Sequence, residues 1–287
     1  MTLDEECRGC LENSQMKKVL STQTDEGKIK LFRKEVKSLC LNAKKESCAP
    51  LLMRDIDGIH RKIFGCGIDY SEQKKIFNMT ILSREDELYN KISSSSDPLA
   101  EAIKYAASGN YIDFAKLADL DENSLAYVED CALRTQVDEN TLNSFKKDLS
   151  SAKTLLYIHD NCGEIVFDKL FIRIIKKLYP NIMVTSLVRG GEIINDVTRV
   201  DAEMINLADY AEVADNGTAI PGTYLREVNK NTLQLLKTSD VIISKGLGNL
   251  ETLYGEGYSV YYIFMCKCLH IASRFNCRQW QTAFVKE

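Results

Sequence analysis

Residues 155–178 have the sequence LLYIHDNCGEIVFDKLFIRIIKKL, which joins two different hydrophobic patterns. The first four residues form a short apolar run, typical of a strand that is buried on both faces. From Gly163 to Leu178, apolar residues recur every three or four positions, as they do along one face of a helix. A buried strand followed by such a helix is the repeating unit of a parallel sheet covered by helices.

The same alternation continues toward the C-terminus. Segments of helical pattern separate most of the further short apolar runs, and this rhythm predicts an α/β fold class with a mainly parallel sheet. The additional strand candidates are residues 182–188, 211–214, 241–244 and 260–265.

The chain before Ser150 has a different pattern, with helical periodicity, few β-branched runs and turn signals between segments. Ser96 or Asp97 is expected to cap a helix whose first residue is Pro98. Gly109 is expected to end that helix at the C′ position. We therefore predict an all-helical N-terminal domain over residues 1–150 and an α/β domain over residues 151–287.

The composition is that of an ordinary globular protein. Among 287 residues, 37 Lys and Arg face 41 Asp and Glu, which gives a formal net charge of −4. No basic stripe is present, so we expect no nucleic-acid partner. The longest apolar run, residues 258–266, is far shorter than the roughly 20 residues that span a bilayer, so we expect no membrane partner. The sequence does not indicate an oligomeric state.

The ten cysteines and the first six residues bear on the compartment. Residues 1–6 are acidic and no apolar stretch of a leader follows them, so we predict a cytoplasmic protein with most thiols outside disulfides. Cys7 and Cys10 form a CxxC pair, but Cys40, Cys48 and Cys66 complete no standard zinc spacing.

Polar residues and glycines follow each predicted strand. Ligands of open parallel sheets bind beyond the carboxyl ends of the strands, so these residues would meet at one edge. Each motif alone is typical of a turn, whereas their joint placement favours a site. The motifs are Asp160-Asn161, Arg189-Gly190-Gly191 with Asn195-Asp196, Asp215-Asn216-Gly217 and Lys245-Gly246-Leu247-Gly248-Asn249.

The oxygens of this set suit a hard cation. Asp160, Asn161 and Asp196 offer carboxylate and amide oxygens, which Mg²⁺ and Mn²⁺ prefer. The three histidines do not have the spacing of a zinc site. Lys245 lies beside two glycines, Gly246 and Gly248, and is either a phosphate ligand or a solvated lysine at a strand end.

Three ordered motifs, residues 160–168, 189–198 and 244–251, closely resemble the signatures of the DUF89 family, the metal-dependent damage-control phosphatases, in its stand-alone microbial branch. The resemblance extends to residues 109–113 and 267–268. It implies a helical N-terminal portion packed on a Rossmann-like α/β/α domain. It also implies hydrolysis of phosphate monoesters of small metabolites, such as damaged or unwanted sugar phosphates, nucleotides or cofactor intermediates.

Carried over by motif, the resemblance implies a divalent cation, manganese, magnesium, cobalt or nickel, bound by Asp160, Asn161 and Asp196. Lys245 would contact the phosphate together with the amides of Gly246 and Gly248. Such a set supplies the positioning and charge stabilisation that phosphoryl transfer needs. The nucleophile is either metal-activated water or Asp160.

The other candidates each have two interpretations. Glu164 is a general acid or base, or a glutamate favoured by the dipole of its helix. Arg189 clamps phosphate or anchors its loop. Asn216 contacts substrate or only forms a turn. Asn110 and Asp113 are expected to reach the site from the helical half.

The chain departs from the family pattern at four positions near the site. Cys162, Glu192 and Leu247 replace the usual alanine, proline and glutamine, and His159 replaces an apolar residue. We expect Glu192 and Leu247 to alter substrate preference, because one adds an anion and the other removes an amide.

Two other functions stay open from the residues. The Rossmann-like edge is compatible with a nucleotide-type cofactor, and the resemblance to the family's wider circle adds an S-adenosylmethionine-dependent methyltransferase as an alternative. Against it, the first strand leads into Asp-Asn-Cys-Gly rather than a glycine-rich nucleotide loop. A non-catalytic protein that binds a metal or ligand is the second alternative.

Overall fold

The computed structural model describes residues 3, 5–44, 47–111 and 122–287. Within these residues the helical half precedes a sheet whose strands alternate with helices. The helices before the sheet are α1 (Glu5–Thr22), α2 (Glu26–Asn42), α3 (Ala49–Phe64), α4 (Ser71–Leu82), α5 (Glu85–Ser93), α6 (Pro98–Ser108), α7 (Glu122–Arg134) and α8 (Glu139–Ser151). The α/β part contains β1 (Thr154–Ile158), α9 (Glu164–Leu178), β2 (Met183–Val188), α10 (Arg199–Met204), β3 (Glu212–Asp215), α11 (Lys230–Thr238), β4 (Val241–Lys245), α12 (Gly246–Leu253), β5 (Tyr261–Met265), α13 (Leu269–Arg274) and β6 (Thr282–Lys286).

The six strands form one sheet in the order β3-β2-β1-β4-β5-β6. Strands β1 to β5 are parallel, and β6 pairs antiparallel with β5. The predicted α/β fold class, a mainly parallel sheet after a helical portion, is confirmed. The five predicted strands lie within one residue of the observed bounds, whereas β6 was not predicted.

The strand order reverses at β1, which pairs with β2 on one side and β4 on the other. The chain therefore leaves β1 and β4 toward opposite faces of the sheet, and a crevice opens between their carboxyl ends. The elements that enter this crevice are the loop after β1 and the N-terminus of α12.

Alternate residues of β1 pack on opposite faces of the sheet. Leu155 and Tyr157 join a cluster with helices α4 to α9, while Leu156 and Ile158 join a cluster with α11 to α13. Phe77 and Phe145 of the helical half belong to the first cluster. The predicted division at residue 150 thus marks a change in secondary structure, and the larger hydrophobic core extends across it.

Helices α1 to α3 have a smaller core of their own, built around Phe32, Val36 and Ile56. An ion pair from Arg54 on α3 to Glu227, with an N–O distance of 2.7 Å, joins this helical unit to the α/β part. The unit therefore lies against the sheet portion without sharing its main core.

Two local expectations have different outcomes. Asp97 caps α6 by accepting a hydrogen bond from the Ala100 amide (3.2 Å), and Pro98 is the first helical residue, as predicted. Gly109 was expected in a left-handed C′ conformation, but its φ is −52° and a 3-10 turn follows. Its small size matters instead, because an added Cβ would lie 2.8 Å from Glu164 Cγ.

Helix α9 differs from the amphipathic helix predicted for it. Both the sheet side and the side toward α4 to α6 are covered, so Asp168 and Lys169 are buried along with the apolar residues. Leu178, expected on the buried face, is 44% exposed at the end of the helix.

Cys266 and Cys277 form a disulfide that the sequence pattern did not indicate. The other eight cysteines form none. None of the helices in the described residues combines the length and the apolar character needed to cross a bilayer.

Candidate active site

The proposed cation ligands meet because two loops run side by side at the carboxyl edge of the sheet. The Val197 amide donates a hydrogen bond to Asp160 O, and the Cys162 amide donates one to Asn195 O, both at 2.9 Å. These bonds pair Asn161 with Asp196 in a short antiparallel bridge. All three predicted ligands are largely buried.

Arg189, the first residue after β2, connects the acidic side chains. Its Nε donates to Asp196 Oδ2 (2.7 Å), and its Nη2 lies 3.4 Å from Asp160 Oδ1. Its Nη1 donates to Asn249 Oδ1 (3.0 Å). Arg189 is 1% exposed, and its guanidinium lies between the two carboxylates and α12.

Gly246 brings the N-terminus of α12 against Asp160. Its φ is +77°, and a Cβ built there would overlap the Asp160 carboxylate. The carboxylate therefore lies at the positive end of a helix, where a negative charge is stabilised.

Lys245 is fully buried rather than exposed at the strand end. Its Nζ donates to Ala106 O (2.8 Å), to Asp168 Oδ1 (2.7 Å) and to Glu164 Oε1. Burial opposes the charge, but the carboxylates of Asp168 and Glu164 raise the pKa of Lys245 above its ordinary value. The ammonium group is thus held in a layer behind the loop that carries Asp160.

Glu164 lies in the same buried layer. Asn110 Nδ2 donates to its Oε1 (2.5 Å), while its Oε2 has no hydrogen-bond partner among the described residues. Burial raises the pKa of Glu164 to about 7. Asn110 therefore contacts Glu164 from the helical half, whereas Asp113 lies outside the described residues.

Asp168 completes this layer and was not singled out from the sequence as a site residue. It accepts hydrogen bonds from Tyr157 OH (2.7 Å) and His159 Nδ1 (2.9 Å) in addition to Lys245. Burial tends to raise the pKa of Asp168, but the adjacent Lys245 and His159 lower it overall. Asp168 was noted only as the last residue of the 160–168 motif, because an acid one turn into α9 is ordinary in an amphipathic helix.

Asn216 supports a loop instead of facing open space. Its Oδ1 accepts hydrogen bonds from the amides of Gly190 (3.1 Å) and Thr218 (2.9 Å), and the side chain is fully buried. Of the two interpretations given by the sequence, the structure places it in the turn.

Helix α4, in the helical half, contacts both loops that carry the proposed cation ligands. Asn78 Oδ1 accepts a hydrogen bond from the Gly163 amide (2.6 Å), and its Nδ2 donates to Asp201 Oδ1 (3.0 Å). Lys74 Nζ pairs with Asp201 (2.6 Å) and Glu192 (2.9 Å). Glu192, predicted to add an anion near the phosphate, therefore points toward Lys74 on α4.

A cavity of about 400 Å³ opens over the three predicted ligands. Leu247 and Gly248 from the first turn of α12 and Lys267 from the loop after β5 also line it. Lys267 was noted only as part of the family resemblance, although its position just after β5 is a signal of the kind used for Lys245. The remaining lining residues are Ser14, Gln15, Lys18, Ala49, Pro50, Met53, Ile194, Asn195, Pro221 and Glu251.

A soft-metal centre is not found in the described part of the chain, where no cluster of three or more His, Cys, Asp or Glu side chains is able to hold a metal ion. Cys10 is exposed on α1, and Cys40 is packed in the core of α1 to α3. Cys162, beside the ligands, is buried in the main core.

The fold and site define an α/β protein with a doubly wound sheet and a cluster of carboxylate and amide oxygens at the point where the strand order reverses. The model of the damage-control phosphatase ARMT1-like domain matches residues 3–281. The chain therefore belongs to this family. The family is named for a phosphatase, which is a kind of hydrolase.

The chain is also similar to individual relatives and to a solved structure. The chain is 31% identical to the uncharacterized protein MJ0202 of Methanocaldococcus jannaschii, over 80% of this chain and 78% of the relative. It is 29% identical to a damage-control phosphatase of Archaeoglobus fulgidus, over 82% of each. The crystal structure of the DUF89 family protein PH1575 of Pyrococcus horikoshii shares the fold, with a TM-score of 0.85 at 24% identity, over 100% of this chain and 99% of that one.

Proposed function

We propose that this protein hydrolyses phosphate monoesters of small metabolites with the help of a divalent cation, manganese, magnesium, cobalt or nickel. The observation that carries the proposal is the joint position of Asp160, Asn161 and Asp196 at one side of a cavity of about 400 Å³. A cavity of this size suits a sugar phosphate or a similar small ester.

The chemistry of the donor set fits a hard cation. Two carboxylates and one amide provide oxygen ligands and leave coordination positions for water and a phosphate oxygen. A cation bound there supplies Lewis-acid polarisation of the phosphoryl group and charge neutralisation in the transition state.

The chain's own residues orient these ligands and bind the phosphate. Arg189 bridges Asp160 and Asp196, which fixes the two carboxylates relative to each other. Gly248 at the start of α12 and Lys267 line the cavity, so a helix N-terminus and a lysine side chain border the space proposed for the phosphate. Lys245, from its buried position, holds Glu164 and Asp168 in place.

The environment of Asp160 favours a ligand over a nucleophile. Its Oδ2 accepts a hydrogen bond from Asn161 Nδ2 (2.8 Å), and its Oδ1 faces Arg189. Hydrogen bonds to both oxygens stabilise the carboxylate and reduce its tendency to attack phosphorus. Water is therefore the nucleophile that this geometry supports better.

The test is phosphate release by protein stripped with EDTA and then supplied with one divalent cation at a time. The panel contains sugar phosphates, nucleotides and pantetheine phosphates, with Asp160→Ala and Asp196→Ala as controls. We expect release that requires the cation and disappears in both variants. If the folded wild-type protein cleaves no ester with any cation, the hydrolase proposal fails and ligand binding without turnover, or methyl transfer, takes its place.

A further inference from the structure

Helices α1 and α3 supply a wall of the cavity that is separate from the ligand loops. Gln15, Lys18 and Met53 lie on this wall, and the unit that carries them has its own hydrophobic core.

Lys18 lines a second, smaller cavity in addition to the main one. A small adjoining cavity is lined by Gln15, Lys18, Met53 and Ile194 together with apolar residues such as Phe32. Asp57 of α3 also lines it, and the carboxylate of Asp57 pairs with Arg61 Nε (2.6 Å). Asp160, Asn161 and Asp196 do not line it. Lys18 therefore lies where the main cavity continues toward the core of the helical unit.

Lys18 is a partly buried cation whose hydrogen-bonding neighbour, Tyr70, is neutral. Its Nζ lies 3.4 Å from Tyr70 OH and 5.7 Å from the centre of the Tyr70 ring. It forms no ion pair with any residue that the structure describes. An ammonium group removed from water in this way is stabilised when an anion accepts its hydrogen bonds.

Gln15 adds hydrogen-bonding capacity beside Lys18. It is 9% exposed, and its Nε2 donates to Met53 Sδ (3.2 Å), a thioether sulfur that is a weak acceptor. Much of the other lining near this wall is apolar, including Pro50, Ile194 and Leu247. An anionic group that enters this region has few polar partners besides Lys18 and Gln15.

We propose that Lys18, assisted by Gln15, binds a second anionic group of the substrate, so that the preferred esters carry a carboxylate or second phosphate remote from the phosphate that is cleaved. This inference rests on the proposed function, since it concerns the same cavity. It assigns substrate selection to the helical unit and phosphate chemistry to the sheet edge.

Glu251 is the acidic group that faces such an anion from α12. The Ala49 amide, at the start of α3, donates a hydrogen bond to its carboxylate. Burial raises the pKa of Glu251 to about 7, so the negative charge on this side chain is reduced near neutral pH.

The test measures binding of non-hydrolysable phosphonates to the Mn²⁺-loaded protein by isothermal titration calorimetry. The probes are 6-hydroxyhexylphosphonate, 6-phosphonohexanoate and 1,6-hexanediphosphonate. A second, shorter set has the same end groups on a three-carbon chain. They share a phosphonate at one end and differ at the other in a hydroxyl, a carboxylate or a second phosphonate.

We expect the wild-type protein to bind at least one anionic-ended probe about tenfold or more tightly than the hydroxyl-ended probe of equal length. Lys18→Met should reduce this ratio to within about twofold, while Lys18→Arg should retain it. Lys17→Met is the matched control, because Lys17 is the exposed neighbour on α1, and it should behave like the wild type. The carboxylate and diphosphonate probes separate the two kinds of anion.

The inference is overturned if the wild-type protein binds no phosphonate, if it binds all ends equally at both lengths, or if Lys18→Met keeps the preference. Its failure is distinguishable from failure of the hydrolase proposal. Phosphate release without a Lys18-dependent preference leaves only the hydrolase proposal standing, whereas a Lys18-dependent preference without turnover leaves only the anion site standing.

Discussion

Gly246 is the residue on which the approach of α12 to Asp160 depends. Its left-handed backbone is unfavourable for other residues, and any Cβ would overlap the carboxylate. Gly246→Ala should therefore displace Asp160, weaken Mn²⁺ binding by tenfold or more, and abolish phosphate release. Calorimetric titration with Mn²⁺ and the phosphate assay check this prediction.

Gly257→Ala provides the matched control. Gly257 has a similar φ of +85°, but nothing lies within 4 Å of an added Cβ. Both variants should lose about 1 kcal/mol or more of unfolding free energy through backbone strain, but only Gly246→Ala should lose metal affinity. Equal metal affinity in the two variants would show that Asp160 does not need this close approach.

Glu164 makes stability depend on pH in a defined direction. Burial raises the pKa of Glu164 from an ordinary 4.5 to about 7, so the folded chain holds this proton more tightly than the unfolded chain. Its contribution to stability is therefore complete below about pH 4.5 and is lost as pH rises through about 7. In Glu164→Gln, the decrease in unfolding free energy with rising pH should be smaller by up to about 3 kcal/mol.

Urea unfolding of the wild type and Glu164→Gln at pH 5 and pH 8 measures the difference. Glu203→Gln, which changes an exposed glutamate, is the control and should follow the wild type. If the unfolding free energy changes equally between pH 5 and pH 8 in the wild type and in Glu164→Gln, Glu164 is ionised in the folded protein at both pH values.

At the level of residues, the sequence predicted where the chain crosses the site but not the direction in which each side chain points. Asp160, Asn161 and Asp196 follow β1 and β2, so the parallel sheet alone brings them to one edge. Lys245 and Arg189 also follow strands, yet they point into the protein. That direction depends on acceptors such as Ala106 O, which distant segments supply.

Helix α4 is the element that links the helical half to both ligand loops. Asn78→Ala would leave the Gly163 amide and Asp201 without this partner in a buried region. We expect a loss of about 2 kcal/mol in unfolding free energy and weaker Mn²⁺ binding, because both loops lose their common support. Urea unfolding and calorimetric titration check the two effects.

Lys75→Ala tests the same helix at an exposed position and should change neither quantity by much. If Asn78→Ala unfolds more easily but binds Mn²⁺ with wild-type affinity, α4 stabilises the fold without positioning the ligands.

Elements with strong periodicity were predicted well, and those defined by distant partners were not. The short apolar runs of β1 to β5 indicate strands because burial on both faces requires continuous apolar residues. Strand β6 is short and half exposed, and it forms by pairing with β5, which local pattern does not reveal. The burial of α9 on nearly all sides likewise depends on α4 to α6.

On the scale of the whole molecule, the cavity is shared between segments far apart in the sequence. Gln15 and Lys18 precede Asp160 by more than a hundred residues, and no spacing rule connects them. The sequence therefore predicted that Asp160, Asn161 and Asp196 meet at the sheet edge, while the wall formed by α1 and α3 depends on the packing of the helical unit.

The central claim is that a divalent cation binds at Asp160, Asn161 and Asp196, and Mn²⁺ titration of EDTA-stripped protein by calorimetry tests it most directly. Asp196→Ala is compared with Asp215→Ala, which removes a carboxylate at the end of neighbouring β3 that pairs with Arg199. We predict one Mn²⁺ per chain in the wild type and Asp215→Ala, and a loss of at least tenfold in affinity in Asp196→Ala. Wild-type Mn²⁺ affinity in a folded Asp196→Ala protein would contradict the account.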